Sequence, residues 1–282
     1  MSEKINWFPG HMQKARRQME EQLKLVDIIV ELRDARIPVA SGNPLLLNMA
    51  NNKPRLIILN KADLADENEN EKWRKYFLED NHCLLVDSLN QRITDLIVKE
   101  IKEILKDKIE KAKARGIRKK VLRAMVVGIP NVGKSTLINN IVKKKVAKTE
   151  NRPGVTKAVQ WIKINEDVEL LDTPGVLWPK IENQDDARLL ALLGSINDEI
   201  LDKEALVLYA LDYLRKEYPG YLNKRYEVNE DSEDLFKDIS LKKGWIIKED
   251  IVNKDTAYKA ILKDIRSNNL GRITWQKYGS RE

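Results

Sequence analysis

Gly128-Ile129-Pro130-Asn131-Val132-Gly133-Lys134-Ser135 reads G-x-x-x-x-G-K-S, a complete phosphate-binding loop. The run Leu122 to Gly128 leads into it and is β-rich; Thr136 to Val142 leads out with helical apolar spacing. A strand that turns through glycines into a helix aims backbone N–H groups, and the positive end of the helix dipole, at one spot. Gly128 and Gly133 give that loop its conformational freedom. Lys134 adds a positive charge for β- and γ-phosphates, the Ser135 hydroxyl is a ligand for Mg²⁺, and Val132 and Thr136 complete the cradle.

Two further motifs narrow the chemistry. Asp172-Thr173-Pro174-Gly175 reads D-x-x-G: Asp172 suits a metal held through water, and the Gly175 N–H suits a γ-phosphate oxygen. Asn60-Lys61-Ala62-Asp63 reads N-K-x-D. A carboxylate at Asp63 accepts two hydrogen bonds from the N1–H and N2–H₂ edge of guanine, which adenine does not offer. Cys83 to Asp87 reads as a strand, and Ser88-Leu89 follows where a second guanine-contacting loop belongs. Each motif follows a strand, where an open α/β sheet builds its ligand site. In Ras-like GTPases the order is phosphate loop, D-x-x-G, N-K-x-D; here N-K-x-D comes first. The expected fold is α/β, a circularly permuted Ras-like P-loop GTPase sheet with GTP and GDP as ligands. A P-loop ATPase or kinase is the alternative that Asp63 argues against.

The remainder sorts around these motifs. Helices are expected near residues 10–25, 68–79 and 93–114, strands at 26–32, 55–60, 83–87, 158–164 and 168–171, and a basic linker at 116–120. Beyond about residue 180 the pattern turns helical, at 185–194, 198–217 and 253–267. This predicts a GTPase domain over residues 1–178 and a smaller, mainly helical C-terminal domain over 179–282. Gly175 runs through Val176-Leu177-Trp178-Pro179-Lys180 into that second domain, so the segment that senses the γ-phosphate also connects the domains.

Of 282 residues, 34% are charged and the formal net charge is +7, a balance that suits a polyanion such as RNA or a solvated lysine-rich surface equally. The single cysteine, Cys83, lies in an apolar run, which fits a small core residue rather than a disulfide or zinc site. No stretch is long enough to span a membrane, and residues 1–12 lack the apolar run of a signal peptide, so the expected location is the cytoplasm.

Six segments together carry a family resemblance. Asn6-Trp7-Phe8-Pro9-Gly10-His11-Met12, Asp34-Ala35-Arg36-Ile37-Pro38, Asn60 to Asp63, Ile129 to Thr136, Arg152-Pro153-Gly154-Val155-Thr156 and Leu171 to Val176 resemble the circularly permuted ribosome biogenesis GTPase A family nearly end to end. The resemblance implies a role late in assembly of the large (50S) ribosomal subunit, with a large-subunit precursor and its rRNA as partners. The GTPase would be a monomer, slow alone and stimulated by the particle; a switch that uses hydrolysis only to reset is the competing expectation. Where Ras-like enzymes carry a water-orienting Gln after D-x-x-G, this chain has Val176, which cannot hydrogen-bond water. The resemblance points instead to His11, whose imidazole suits that task as well as an RNA contact. It also makes Thr156 the switch threonine that closes on Mg²⁺ and γ-phosphate, and gives Asn131 either a K⁺-coordinating oxygen beside the phosphates or a loop-stabilising role.

Overall fold

The computed structural model describes residues 12–44, 49–50, 53–87, 92–146, 160–172, 181, 183–198 and 201–279. The chain divides into two compact units, Met1–Ile181 with Gln276–Glu282, and Glu182–Trp275.

The first unit begins with helix α1 (Met12–Leu23) and continues β1 (Ile28–Asp34), β2 (Arg55–Asn60), α2 (Glu67–Leu78), β3 (His82–Leu85), α3 (Ile93–Ile104), α4 (Lys106–Ala114), β4 (Leu122–Gly128), α5 (Lys134–Val146), β5 (Gln160–Lys163) and β6 (Val168–Asp172). The strands form one sheet in the order β3-β2-β1-β4-β6-β5. All pairings are parallel except β5 with β6. Strands in such a sheet are covered on both faces and read as nearly continuous apolar runs, as Leu56-Ile57-Ile58-Leu59 and Ala124-Met125-Val126-Val127 do. On one face Ile29, Met125, Val127 and Leu171 pack with Leu23 and Val26. Farther across the same face, Ile57, Leu59 and Cys83 pack against Trp73 and Phe77 of α2. Cys83 is a buried free thiol, and burial pushes its pKa up to about 12.

Register fixes what the sheet delivers. Asp34 pairs with Asn60, Leu32 with Gly128, and Val126 with Asp172, so the carboxyl ends of β1, β2, β4 and β6 lie side by side. From β1 the chain proceeds to β2 and β3 on one side, then returns to place β4 on the other. The order therefore reverses between β1 and β4, where an open α/β sheet leaves a crevice for ligand.

The helix expected over 93–114 is two helices. Leu105 leaves helical geometry at φ −99° and ψ 16°, and its N–H reaches the carbonyls of Glu103 and Ile101. Ile93, Ile97, Ile101 and Leu105 are all buried, so the apolar stripe runs to the break. The last residues hold the first unit as well. Gln276 Oε1 accepts from the N–H groups of Val39 and Ala40 at 2.8 and 3.1 Å, and Trp73 Nε1 donates to the Gln276 carbonyl at 2.8 Å. Tyr278 N donates to Glu69 Oε2 at 2.7 Å, and its ring meets Trp73 edge-on at 5.4 Å.

The second unit contains α6 (Gln184–Leu192), α7 (Lys203–Glu217), α8 (Tyr221–Tyr226), α9 (Leu235–Lys242), a hairpin of β7 (Ile246–Lys248) and β8 (Ile251–Val252), and α10 (Lys254–Arg266). Asn183, Asp202, Asp234 and Asn253 each cap a helix start by accepting from backbone N–H groups. The core is aliphatic, with Leu190, Val207, Leu214, Ile239 and Ile261 fully covered. Among the described residues no helix is long and apolar enough to cross a membrane.

Candidate nucleotide-binding site

The phosphate loop leaves β4 at Gly128 and enters α5 at Lys134. A side chain at Gly128 would meet Val132 Cγ2 at 2.9 Å and the Leu32 carbonyl at 3.0 Å, so the loop's close approach to β1 requires glycine there. Gly133 has φ 95° and Asn131 has φ 64°. Asparagine is one of the few non-glycine residues that tolerate this left-handed region, which explains why the loop carries Asn at that position. Val132 is buried, whereas Ser135 and Thr136 are exposed at the helix start. Lys134 Nζ lies 3.0 Å from Asp172 Oδ1. The lysine and the acidic residue of D-x-x-G therefore share one spot, although 38 residues separate them.

The N-K-x-D segment is fastened to the same loop. Asn60 Nδ2 donates to the Val132 carbonyl at 2.7 Å. Lys61 Nζ donates to the Asn131 carbonyl at 2.5 Å and to Asp34 Oδ2 at 2.8 Å. Lys61 itself has φ 59°, a conformation that costs a β-carbon-bearing residue energy and that its two anchors sustain. Ala62 is held from both ends, its N–H on the Val86 carbonyl at 3.1 Å and its carbonyl accepting from Asn70 Nδ2 at 2.8 Å. Asp63 follows directly in this fixed turn.

Below the turn lies a buried charge group. Asp34 Oδ1 accepts from Arg36 Nε at 3.0 Å, and Oδ2 from Arg36 Nη2 at 2.9 Å. Burial alone would raise the Asp34 carboxyl, but Arg36 and Lys61 overcome it and hold the group well below the usual carboxylate range. The Arg36 guanidinium is opposed by burial and supported by Asp34 and then Asp63, with a net upward shift.

The structure thus brings together Asn60, Lys61, Ala62, Asp63, Asn131, Val132, Gly133, Lys134, Ser135, Thr136 and Asp172. His11, Ser88, Leu89, Thr156 and Gly175 lie outside the described residues. Asp34 and Arg36 entered the sequence reading only through the family resemblance; the structure makes them a buried ion pair. Their signal was two opposite charges straight after an apolar strand, a place where burial makes charges costly unless paired. The donor set fits a nucleoside triphosphate with Mg²⁺: a cationic side chain and a carboxylate are adjacent at the mouth of a glycine loop, next to an exposed hydroxyl on a helix N-terminus.

Comparison with known proteins agrees with this geometry. A family model described as 50S ribosome-binding GTPase matches residues 123–247. Ribosome biogenesis GTPase A of Bacillus licheniformis is 45% identical over 277 residues, 97% of this chain and 98% of that protein. The Bacillus cereus protein of the same name is 46% identical over 96% of this chain and 93% of its own. The chain belongs to the ribosome biogenesis GTPase A family. Membership explains the motif order, since the family's GTPase domain is circularly permuted. Among solved structures, GNP-bound YlqF from T. maritima superposes with a TM-score of 0.65 at 26% identity, covering 94% of this chain and 98% of that one. A GDP-bound YlqF structure matches with the same TM-score over 93% of this chain. As a ribosome biogenesis GTPase A family member the chain is a GTP hydrolase.

Proposed function

We propose that this chain binds GTP and hydrolyses it on a precursor of the large (50S) ribosomal subunit, late in that subunit's assembly, slowly by itself and faster on the particle. The observation that carries the site assignment is the direct bonding of the N-K-x-D turn to the phosphate loop, Asn60 to Val132 and Lys61 to Asn131. A base and a triphosphate seated there would be read by one rigid unit. Asp63 selects guanine, with Ser88 and Leu89 closing over the base. Lys134 and the loop N–H groups from Asn131 to Thr136 hold the phosphates. Ser135, Thr156 and Asp172 would hold Mg²⁺, and Gly175 the γ-phosphate. The metal supplies charge neutralisation on the β- and γ-oxygens as the bond breaks.

With no water-orienting side chain at Val176, His11 would orient the attacking water, and Asn131 would hold a K⁺ ion through one side-chain oxygen, the ion supplying positive charge beside the phosphates. The basic balance of the chain, formal charge +7, supports an rRNA partner. Residues from about 179 onward form the contact with the particle, and the protein works as a monomer in the cytoplasm. The names of the relatives and of the matching family favour a ribosomal target over a free-standing signalling switch. Sedimentation with purified large-subunit precursors tests this: the protein loaded with a non-hydrolysable GTP analogue co-sediments, and does so less as salt rises. Failure to co-sediment in any nucleotide state contradicts it.

A further inference from the structure

The loop after β1 is almost completely buried, yet it carries charge. Asp34, Arg36, Ser41 and Asn43 are all 6% exposed or less. Asp34 stands in register with Asn60, the first residue of the N-K-x-D turn. Its carboxylate accepts four hydrogen bonds: from Arg36 N, Nε and Nη2, and from Lys61 Nζ. The carboxylate has no freedom to follow Lys61. Asp34 N donates to Ser41 Oγ at 2.9 Å, and Ser41 Oγ donates to the Ile37 carbonyl at 2.7 Å. The Val39 and Ala40 amides are pinned by Gln276. Asp34 is therefore a fixed anion, and Lys61 is the partner that must adapt to it.

Two cations, Lys61 and Arg36, adjoin this one carboxylate, and the next carboxylate along the turn is Asp63. Arg36 Nη1 is buried with no hydrogen-bond partner among the described residues, so Arg36 retains an unspent donor. Removing the Asp34 charge would leave the buried Arg36 and the part-buried Lys61 without that partner, beside Asp63, whose charge already acts on Arg36. Buried charges left without a partner are costly and are compensated by whatever opposite charge can reach them. Asp63 would then be drawn toward Lys61 and Arg36 and away from the base edge.

We propose, resting on the guanine-site assignment above, that Asp34 and Arg36 are positioning residues for base selectivity: the Asp34 carboxylate, locked by Arg36, neutralises Lys61 and so leaves Asp63 to face guanine. Neither residue touches nucleotide. Their effect appears as discrimination between bases rather than as phosphate affinity, and it acts through the loop after β1, outside the phosphate loop, D-x-x-G and N-K-x-D.

The test uses the full chain and two variants, Asp34→Asn and Arg36→Lys, with dissociation constants measured for GDP and for IDP, which lacks the 2-amino group that Asp63 reads. Thermal melting of each variant is recorded alongside. GDP affinity falls by at least about tenfold in Asp34→Asn, as expected when a buried charge pair loses one partner, and falls in Arg36→Lys because a lysine cannot reproduce the two-pronged guanidinium lock on the carboxylate. IDP affinity falls less, so the GDP-to-IDP ratio moves toward one. A general loss of folding would weaken both nucleotides alike and leave the ratio unchanged. In a double-mutant cycle, Lys61→Ala added to Asp34→Asn costs less than Lys61→Ala alone, because the two act as a unit. If Asp34→Asn melts below the assay temperature, Arg36→Lys keeps the carboxylate and both charges and gives the same readout. A wild-type GDP preference retained in full by the folded variants overturns the proposal. A wild type with no preference for GDP overturns the guanine-site assignment itself.

Discussion

Asn60 Nδ2 donates to the Val132 carbonyl at 2.7 Å, across 72 residues of chain. One side chain thereby ties the base-reading turn to the phosphate loop, and circular permutation leaves that tie intact because both lie at carboxyl ends of strands in a single sheet. Asn60→Ala removes the donor and leaves the buried Val132 carbonyl short of a partner, at a cost of about 1–3 kcal/mol. The expected result is weaker binding of GDP and GTP alike, with base preference kept, measured by titration with fluorescent nucleotides. Unchanged affinity would show that the tie does not hold the site together.

In the proposed site, base choice rests on Asp63. Asp63→Asn mismatches the guanine edge, and GTP affinity should fall by about 1–3 kcal/mol. Xanthosine triphosphate, which presents an acceptor where guanine presents a donor, should gain affinity in the same variant. Competition assays with the two nucleotides check both halves; a variant with wild-type GTP affinity removes Asp63 from the site.

The monovalent ion gives a separate handle. Asn131 stands in the phosphate loop at φ 64°, and its proposed role is to supply a side-chain oxygen where negative charge grows during hydrolysis. Hydrolysis should run faster in K⁺ than in Na⁺ at equal ionic strength, and Asn131→Ala should abolish that difference with nucleotide binding largely kept. Equal wild-type rates in the two salts would leave Asn131 as a loop-forming residue only.

Much of this was legible in the sequence, for identifiable reasons. The α/β class and the permuted GTPase sheet followed from motifs whose spacing is set by ligand geometry, each standing after an apolar run. Apolar runs such as Leu56 to Leu59 marked buried strands without ambiguity. The β7–β8 hairpin went unseen because strands of three and two residues, with Ile246, Ile247 and Ile251 exposed, carry no alternation to read. Helix α8 was missed because it is only six residues long, between left-handed residues Gly220 and Glu227. The proposed role of Asp34 was hidden because Lys61 reaches it only through β1–β2 register, which no local pattern encodes. The anchoring of Val39 and Ala40 by Gln276 spans 237 and 236 residues and was equally invisible.

In the second unit, acid should act through Asp264. Its carboxylate is 6% exposed and accepts from Arg225 Nε and Nη2, Asn269 Nδ2 and the Tyr226 hydroxyl. Burial works to raise its pKa, but the Arg225 and Asn269 hydrogen bonds outweigh it and the net shift is downward from 3.8. A depressed carboxylate contributes stability that is present above the unfolded value, and that is lost as pH falls from there through the folded value. Chemical denaturation at stepped pH should show stability declining below about pH 4, with a shallower decline in Asp264→Asn. Identical pH profiles for variant and wild type would assign the acid sensitivity elsewhere.

The central claim is that this guanine-nucleotide site works on a ribosomal precursor. Single-turnover GTP hydrolysis, followed with and without purified large-subunit precursor particles, tests it most directly, with His11→Ala run in parallel. The expected result is a slow basal rate, a clear acceleration by particles, and a stimulated rate about 10²-fold lower in His11→Ala with nucleotide affinity near wild type. A rate that large-subunit particles leave unchanged would contradict the claim.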